Sequence, residues 1–401
     1  MASERPVSAV VVGSGERAAE VESAPLRIEK VTLREIRLPL REPFRISSGV
    51  VSERRILIVE TSADGVAGWS ECVAGELPNY SPETIDTAWF ALRSWLAPRL
   101  IGEMLRSPEE VRSRLDTGVR GHHMAKAALE MGVWALWSRR AGLPLARVLG
   151  GTRERVEVGI SLGIQPEPAM LVERAAAAVA QGYRKVKLKI TPGADYAFVA
   201  AVREAVGSGV ALMVDANCAY EPSDVDALIR LDAFGLTMIE QPFEPGDLVR
   251  HAVLQKRLRT PLCLDESITS PERAADMIEL GSARVVNIKP GRAGGFASSR
   301  AIHDLCAAHG VPVWCGGMLE SGIGRAHNVA LASLPNFRLP GDLSPSARYW
   351  ERDIVVPEWT MSETGEVRVP VDRPGIGVDV DLDRVEHLTV RKETLAPGGG
   401  S

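Results

Sequence analysis

Cysteine is scarce and unpatterned in this chain. Its five cysteines, Cys72, Cys218, Cys263, Cys306 and Cys315, form neither a CxxC pair nor a Cys/His spacing suited to zinc. That excludes a disulfide-stapled module, and the thiols read as buried groups in a reducing cytoplasm. Long hydrophobic runs are missing too: no stretch reaches the ~18 apolar residues that a membrane helix needs. Met1–Pro25 lacks the cationic-then-apolar order of a signal peptide. Positive charge is not in excess, because 47 Lys and Arg face 52 Asp and Glu for a net charge of −5. Nothing in that balance attracts nucleic acid or a membrane.

Lysine is used sparingly, in only eight of the 47 basic positions. Arginine serves wherever a permanent cation suffices, whereas a buried lysine can give up its proton. Three of the eight lysines fall within Lys185–Lys189, which points to a deprotonable amine there.

The 401 residues, 45% hydrophobic and 25% charged, are enough for two domains or one large core. Residues 1–26 and 396–401 read as flexible ends; VVVGSGERA near the start matches a loose dinucleotide-turn pattern but lacks the strand and helix that would complete it. Residues 27–150 read as an α+β domain. Alternating runs at KVTLREIRLPL and ILIVETS predict an antiparallel sheet, PFRISSGVVSERR between them a mobile loop, and Pro82–Leu100 and Pro108–Leu149 helices. Residues 151–345 repeat short β-rich runs with Ala-rich helical spacers: VEVGISL, KVKLKI, ALMVDAN, LTMIEQP, LCLDES, VVNIKPG, VPVWCGG and NFRLPGD. Eight such units predict a closed parallel (β/α)8 TIM-like barrel, with an open doubly wound sheet as the alternative. Residues 346–395 end in the strand-like PGIGVDVDLDRVEHLTV, expected to return to the first domain.

Barrel chemistry sits at the carboxyl ends of the strands. At those ends the sequence places Lys187 and Lys189, Asp215 with Asn217, Glu240, Asp265 with Glu266, and Lys289. Positions 189, 215, 240, 265 and 289 are separated by 26, 25, 25 and 24 residues, one strand plus one helix each. Asp215, Glu240 and Asp265 would repel one another unless neutralised. Salt bridges to the neighbouring lysines are one solution; a hard divalent cation is the other, and oxygen-only ligation suits Mg2+ or Mn2+ better than zinc. Lys187 and Lys189 share a strand face, so each disfavours the other's charge, the condition under which a lysine serves as a base.

These motifs resemble the enolase superfamily, whose sites pair a lysine or histidine base with Mg2+. Closer still, KVKLKI, VDAN, IEQP, LDES, NIKPGRAGG, WCGGMLESGIGRAHNVALASLPNF and LPGDLS are similar to the N-acylamino acid racemase / o-succinylbenzoate synthase family of the muconate-lactonizing subgroup. The resemblance implies a modified barrel with an N-terminal capping domain, Lys189 and Lys289 as acid/base groups on opposite substrate faces, and Asp215, Glu240 and Asp265 as ligands of Mg2+ (or Mn2+ or Co2+). It implies Ser161, Lys187, Asn217, Gly317 and Leu319 as pocket residues, Phe44–Arg54 as a specificity loop, Tyr80 closing over the substrate, and Arg292 tuning Lys289 in members with racemase activity. It further implies a small-molecule carboxylate substrate, an enediolate route and a homo-oligomer. Ala347 departs from the acidic residue common in relatives, which affects only local loop contacts. The absence of Asp-x-Asp after the last barrel segment argues against a dipeptide epimerase, the GGMLESGIG segment against muconate cycloisomerisation, and the complete base and ligand set against a non-catalytic binding protein.

Overall fold

The computed structural model describes residues 25–46 and 49–398. The segments expected as flexible ends, VVVGSGERA included, lie outside the described residues apart from 25–26 and 396–398. Leu26 already belongs to a short strand paired with Met104–Leu105 and is fully buried.

The N-terminal sheet is built from β1 (Lys30–Ile46), β2 (Gly49–Ala63) and β3 (Val66–Cys72), joined by the C-terminal strand Thr389–Leu395 on the outer side of β1. The described residues of PFRISSGVVSERR, 43–46 and 49–55, extend the β1–β2 ladder, with Phe44 opposite Val51 and Arg45 opposite Val50, after a register shift between Pro39 and Phe44. These residues are strand rather than free loop. Across this sheet lie α1 (Ile85–Ala91), α2 (Glu110–Asp116) and α3 (His123–Arg140). The fit of α3 to β3 is close enough that a Cβ on Gly68 would sit 2.3 Å from the Gly132 carbonyl oxygen; only glycine leaves room for that backbone approach.

Seven parallel strands follow in chain order: β4 (Gly159–Leu162), β5 (Lys185–Lys189), β6 (Ala211–Asp215), β7 (Ile239–Glu240), β8 (Leu262–Leu264), β9 (Val285–Ile288) and β10 (Val313–Cys315). Helices α4 (Pro168–Ala180), α5 (Tyr196–Val206), α6 (Val225–Arg230), α7 (Leu248–Arg257), α8 (Pro271–Leu280), α9 (Phe296–Ala308) and α10 (Gly322–Ala332) return the chain between strands or close the series. The strands are buried on both faces, as parallel sheets under helices must be.

The eighth run, NFRLPGD, is not a regular strand. Pro335 and Pro340 remove two backbone donors from the segment around it. The run still bridges the gap: Phe337 pairs with Val313, Gly341 pairs with Val158, and the Gly341 carbonyl accepts from Gly159 N at 2.7 Å. The result is a modified (β/α)8 barrel with an N-terminal cap. PGIGVDVDLDRVEHLTV also differs from expectation, because most of its second half is the helix Leu382–Leu388, capped by Asp381; the returning strand starts only at Thr389. All five cysteines are free thiols. Among the described residues no helix is long and apolar enough to cross a membrane.

Candidate active site

The barrel interior is layered. Met213, Met238, Cys263, Val285 and Trp314 form an apolar floor. Because side chains alternate along a strand, the residues two and four positions on point into the same interior, one layer higher each time. Lys185 rests directly on the floor, its Nζ 3.5 Å from the centre of the Trp314 ring and 3.7 Å from Asp342. Burial lowers its pKa to about 8 against the raising effect of Asp342. The three-lysine cluster therefore runs in depth: Lys185 lies deepest, Lys187 next with its Nζ 4.9 Å from the Trp314 ring centre, and Lys189 at the carboxyl end of the strand.

Lys187 Nζ lies 2.6 Å from Asp342, 3.2 Å from Glu240 and 3.4 Å from Asp215. Burial works to lower its pKa, but those three carboxylates outweigh it and hold the pKa well above the ordinary lysine value. Asn287 donates to Glu240 Oε1 at 2.6 Å. One layer up, Lys189, Asp215 and Glu240 are consecutive register partners across β5, β6 and β7, and Asp265 follows the end of β8. Lys189 Nζ donates to Asp215 at 2.6 Å and to Asn217 Oδ1 at 2.5 Å; Asn217 donates in turn to Glu266 at 3.1 Å. At the other end of the row, Lys289 Nζ donates to Asp265 Oδ2 at 2.7 Å and stands 4.6 Å from the Tyr80 ring centre. A Cβ at Gly316 would crowd the Asn287 amide and fall 2.7 Å from Lys289 Cε, so a larger residue there would displace both side chains.

Arg292 is anchored by its Nε to the Ile268 carbonyl at 2.9 Å and also bonds Asp265 Oδ1. Tyr80 donates to the same oxygen at 2.9 Å and accepts from Arg292 at 3.2 Å. Two amines thus terminate a row of three carboxylates, Lys189 beside the first and Lys289 beside the last. Burial followed by the charge of Asp215 pushes the Glu240 carboxyl up, whereas Lys189 and Lys187 overcome burial and hold Asp215 down.

Ser161 is in register with Lys187, and its buried hydroxyl has no hydrogen-bond partner. Gly317 and Leu319 lie in the loop after β10. A Cβ on Gly317 would touch the Asp342 carbonyl oxygen at 2.9 Å, and Leu319 takes a positive φ of 57°. Phe44 stands apart from this network, lining a cavity of about 180 Å3 with Arg45, Ile164, Arg348 and Tyr349 at the rim beyond β4. Sequence reasoning missed Asp342 and Asn287. Asp342 sits in LPGDLS, where chain position on the eighth stave was the available signal.

Do the acids suit a divalent cation? They are hard oxygen donors at one level, and Glu266 Oε2 beside them is buried without a hydrogen-bond partner. Their chemistry fits. Among the described residues, however, no three acidic, thiol or imidazole groups form a ready-made cage, since each acid is turned toward an amine or guanidinium.

Residues 28–150 match the family model for the mandelate racemase / muconate lactonizing enzyme N-terminal domain, and residues 170–385 match that for the enolase C-terminal domain-like fold. The chain belongs to the enolase superfamily. Among relatives of this superfamily member, an o-succinylbenzoate synthase of Geobacillus stearothermophilus is 50% identical over 365 residues, covering 91% of this chain and 96% of that protein. An N-succinylamino acid racemase of Thermus thermophilus is 46% identical over 365 residues, covering 91% and 98%. A solved enolase superfamily member from Listeria innocua superposes with a TM-score of 0.89 at 40% identity, covering 92% of this chain and 99% of that one. The chain is an enzyme, and its superfamily typically employs a divalent metal.

Proposed function

We propose that this enzyme is a Mg2+-dependent racemase of N-acylamino acids, N-succinylamino acids among them, working by two-base transfer of the α-proton. The observation that carries the reading is the pair of amines at opposite ends of the carboxylate row, 2.6 Å from Asp215 at Lys189 and 2.7 Å from Asp265 at Lys289.

Asp215, Glu240 and Asp265 are the residues that would hold the cation. When bound, it supplies positive charge to the substrate carboxylate and so lowers the cost of removing the neighbouring proton. The remaining work falls to the chain. Lys189 takes the proton from one face of the α-carbon while Lys289 delivers one to the other; the roles exchange for the opposite enantiomer. Asn217 and Asp215 hold Lys189 in place, and Asp265 and the Tyr80 ring hold Lys289. Lys187, kept protonated by three acids, and the free Ser161 hydroxyl face the substrate. Tyr80 and the hairpin carrying Phe44 cover the mouth and keep water out. Arg292, bonded to the acid that holds Lys289, sets that amine's environment.

A second reading, o-succinylbenzoate synthesis in menaquinone biosynthesis, is favoured by the 50% identical relative bearing that name. In it Lys189 removes the proton and assists departure of hydroxide, while Lys289 stays charged. Incubation with N-succinyl and N-acetyl amino acids in deuterated water plus Mg2+ separates the two. Inversion with α-deuterium incorporation is expected. No exchange across a broad panel, together with turnover of the cyclohexadiene carboxylate precursor, would leave the synthase alone.

A further inference from the structure

One stretch of the cap, residues 71–80, crosses three successive barrel loops. Glu71, the penultimate residue of β3, accepts from Ser321 N at 3.1 Å, Ser321 Oγ at 2.6 Å and Gly324 N at 3.2 Å, closing the N-terminus of α10. Val73 packs so tightly on Gly291, after β9, that a Cβ there would lie 2.4 Å from it. Tyr80 reaches Asp265, after β8.

What Glu71 grips is the end of the loop holding Gly317 and Leu319. The next residue back, Glu320, accepts from Met318 N at 2.7 Å and from Asn328 at 2.8 Å, and lies 3.2 Å from Arg325. Arg325 donates to the Asp342 carbonyl at 2.6 Å, and Asp342 holds Lys187. Leu319 occupies left-handed backbone space, which a branched side chain keeps only when its surroundings impose it. On its other side, Glu71 is paired through β3 to β2, the inner arm of the Phe44 hairpin. One carboxylate therefore connects the sheet bearing the hairpin to the end of the loop after β10.

We propose that Glu71 is a positioning residue that fixes the pocket loop Gly316–Leu319 against the capping sheet, so that hairpin and loop meet the substrate in one register. The inference rests on the assignment of that loop to substrate binding in the racemase reading. The molecule contains its own control. Glu130 on α3 makes the same kind of latch, accepting from Phe296 N at 2.7 Å and Ala297 N at 2.9 Å, but it closes the N-terminus of α9 instead. Both carboxylates are fully buried, and burial pushes each up to about 7.

Glu71→Gln and Glu130→Gln are compared by amide hydrogen exchange and by steady-state racemisation of an N-succinylamino acid. In Glu71→Gln alone, residues 316–324 should exchange roughly 10-fold faster. In the same variant KM should rise about 10-fold with kcat within about twofold, the pattern of lost substrate positioning rather than lost chemistry. Equal loop exchange in the two variants overturns the proposal, as does faster exchange with unchanged KM. If the unsubstituted protein turns over no N-acylamino acid, the racemase reading fails, and the exchange comparison alone decides whether Glu71 holds the loop. Should Glu71→Gln not fold, Ser321→Ala, which removes the hydroxyl end of the contact, is measured in its place with the same expected loop exchange.

Discussion

Asp215 in the barrel mouth and Glu71 at the capping interface are equally buried, each 1% exposed, yet their carboxyls shift in opposite directions. Burial pushes both toward the neutral acid. At Asp215 the amines of Lys189 and Lys187 overcome it and hold the group below the usual carboxylate range. At Glu71 the donors are a hydroxyl and backbone amides, Glu320 adds like charge, and the opposing pull of Arg54 is too weak to offset burial, so the group rises to about 7. The interface and the mouth use the same side-chain chemistry, and the partner decides the outcome. Hydroxyl and amide dipoles make a fastening that leaves the carboxyl raised, whereas ion pairing with lysines holds the carboxylate charged.

The largest expected effect breaks the comparison at the mouth. Chelating divalent ions should lower α-proton exchange by at least about 10^3-fold, with recovery on adding Mg2+, because the positive charge that Asp215, Glu240 and Asp265 would hold beside the substrate carboxylate is lost. Exchange of the 316–324 amides should stay as it was. Full α-proton exchange in chelated protein would separate the mouth from metal chemistry.

A smaller effect is expected from Asp342→Asn, which leaves the interface intact but removes the shortest of the three acid contacts to Lys187. Loss of such a supporting partner should cost about 10–100-fold in kcat/KM. A change under about twofold, measured by racemisation kinetics, would reduce Asp342 to a packing residue.

The smallest effect is one of stability, and it sharpens the contrast through pH. Glu130 has a folded pKa of about 7, above its ordinary 4.5, so its stabilising contribution is complete below 4.5 and is lost as pH rises to 7. Asp342 is shifted the other way: burial raises it, but Lys187 and Lys185 prevail, so its contribution is present above 3.8 and lost as pH falls below that. His327, lowered by burial to about 4, opposes the glutamate in the same window, losing its contribution between 6.5 and 4. The difference between Glu130→Gln and the unsubstituted protein cancels the histidine. The variant's relative stability should therefore rise by roughly 2–3 kcal/mol from pH 4.5 to pH 8 in denaturant unfolding. A flat difference would mean that Glu130 is not held neutral by burial.

The mouth was legible in the sequence and the interface was not, for a physical reason. Strands buried on both faces are mostly apolar, so Lys189, Asp215, Glu240, Asp265 and Lys289 stand out at or just after the strand ends, at a spacing set by one strand plus one helix. Asp342 did not stand out, because prolines disrupt its stave and no apolar run marks the end. Lys185 was grouped with its neighbours, since alternation gives the face but not the depth of a side chain below the mouth. Glu71 lies in an ordinary strand, and its partner Ser321 is 250 residues away, a pairing that no local pattern announces. The segment PFRISSGVVSERR, with its serines and glycine, carried the composition of a loop, while its described residues pair in the β1–β2 ladder.

The account depends most on two amines serving opposite faces of one carbon, and enantiomer-resolved deuterium exchange in Lys189→Ala and Lys289→Ala tests this most directly. Each variant should fail to racemise, and the single remaining amine should exchange the α-proton of one enantiomer only, with the preferred enantiomer reversed between the two variants. Exchange of both enantiomers at equal rates in either variant would contradict the two-face arrangement.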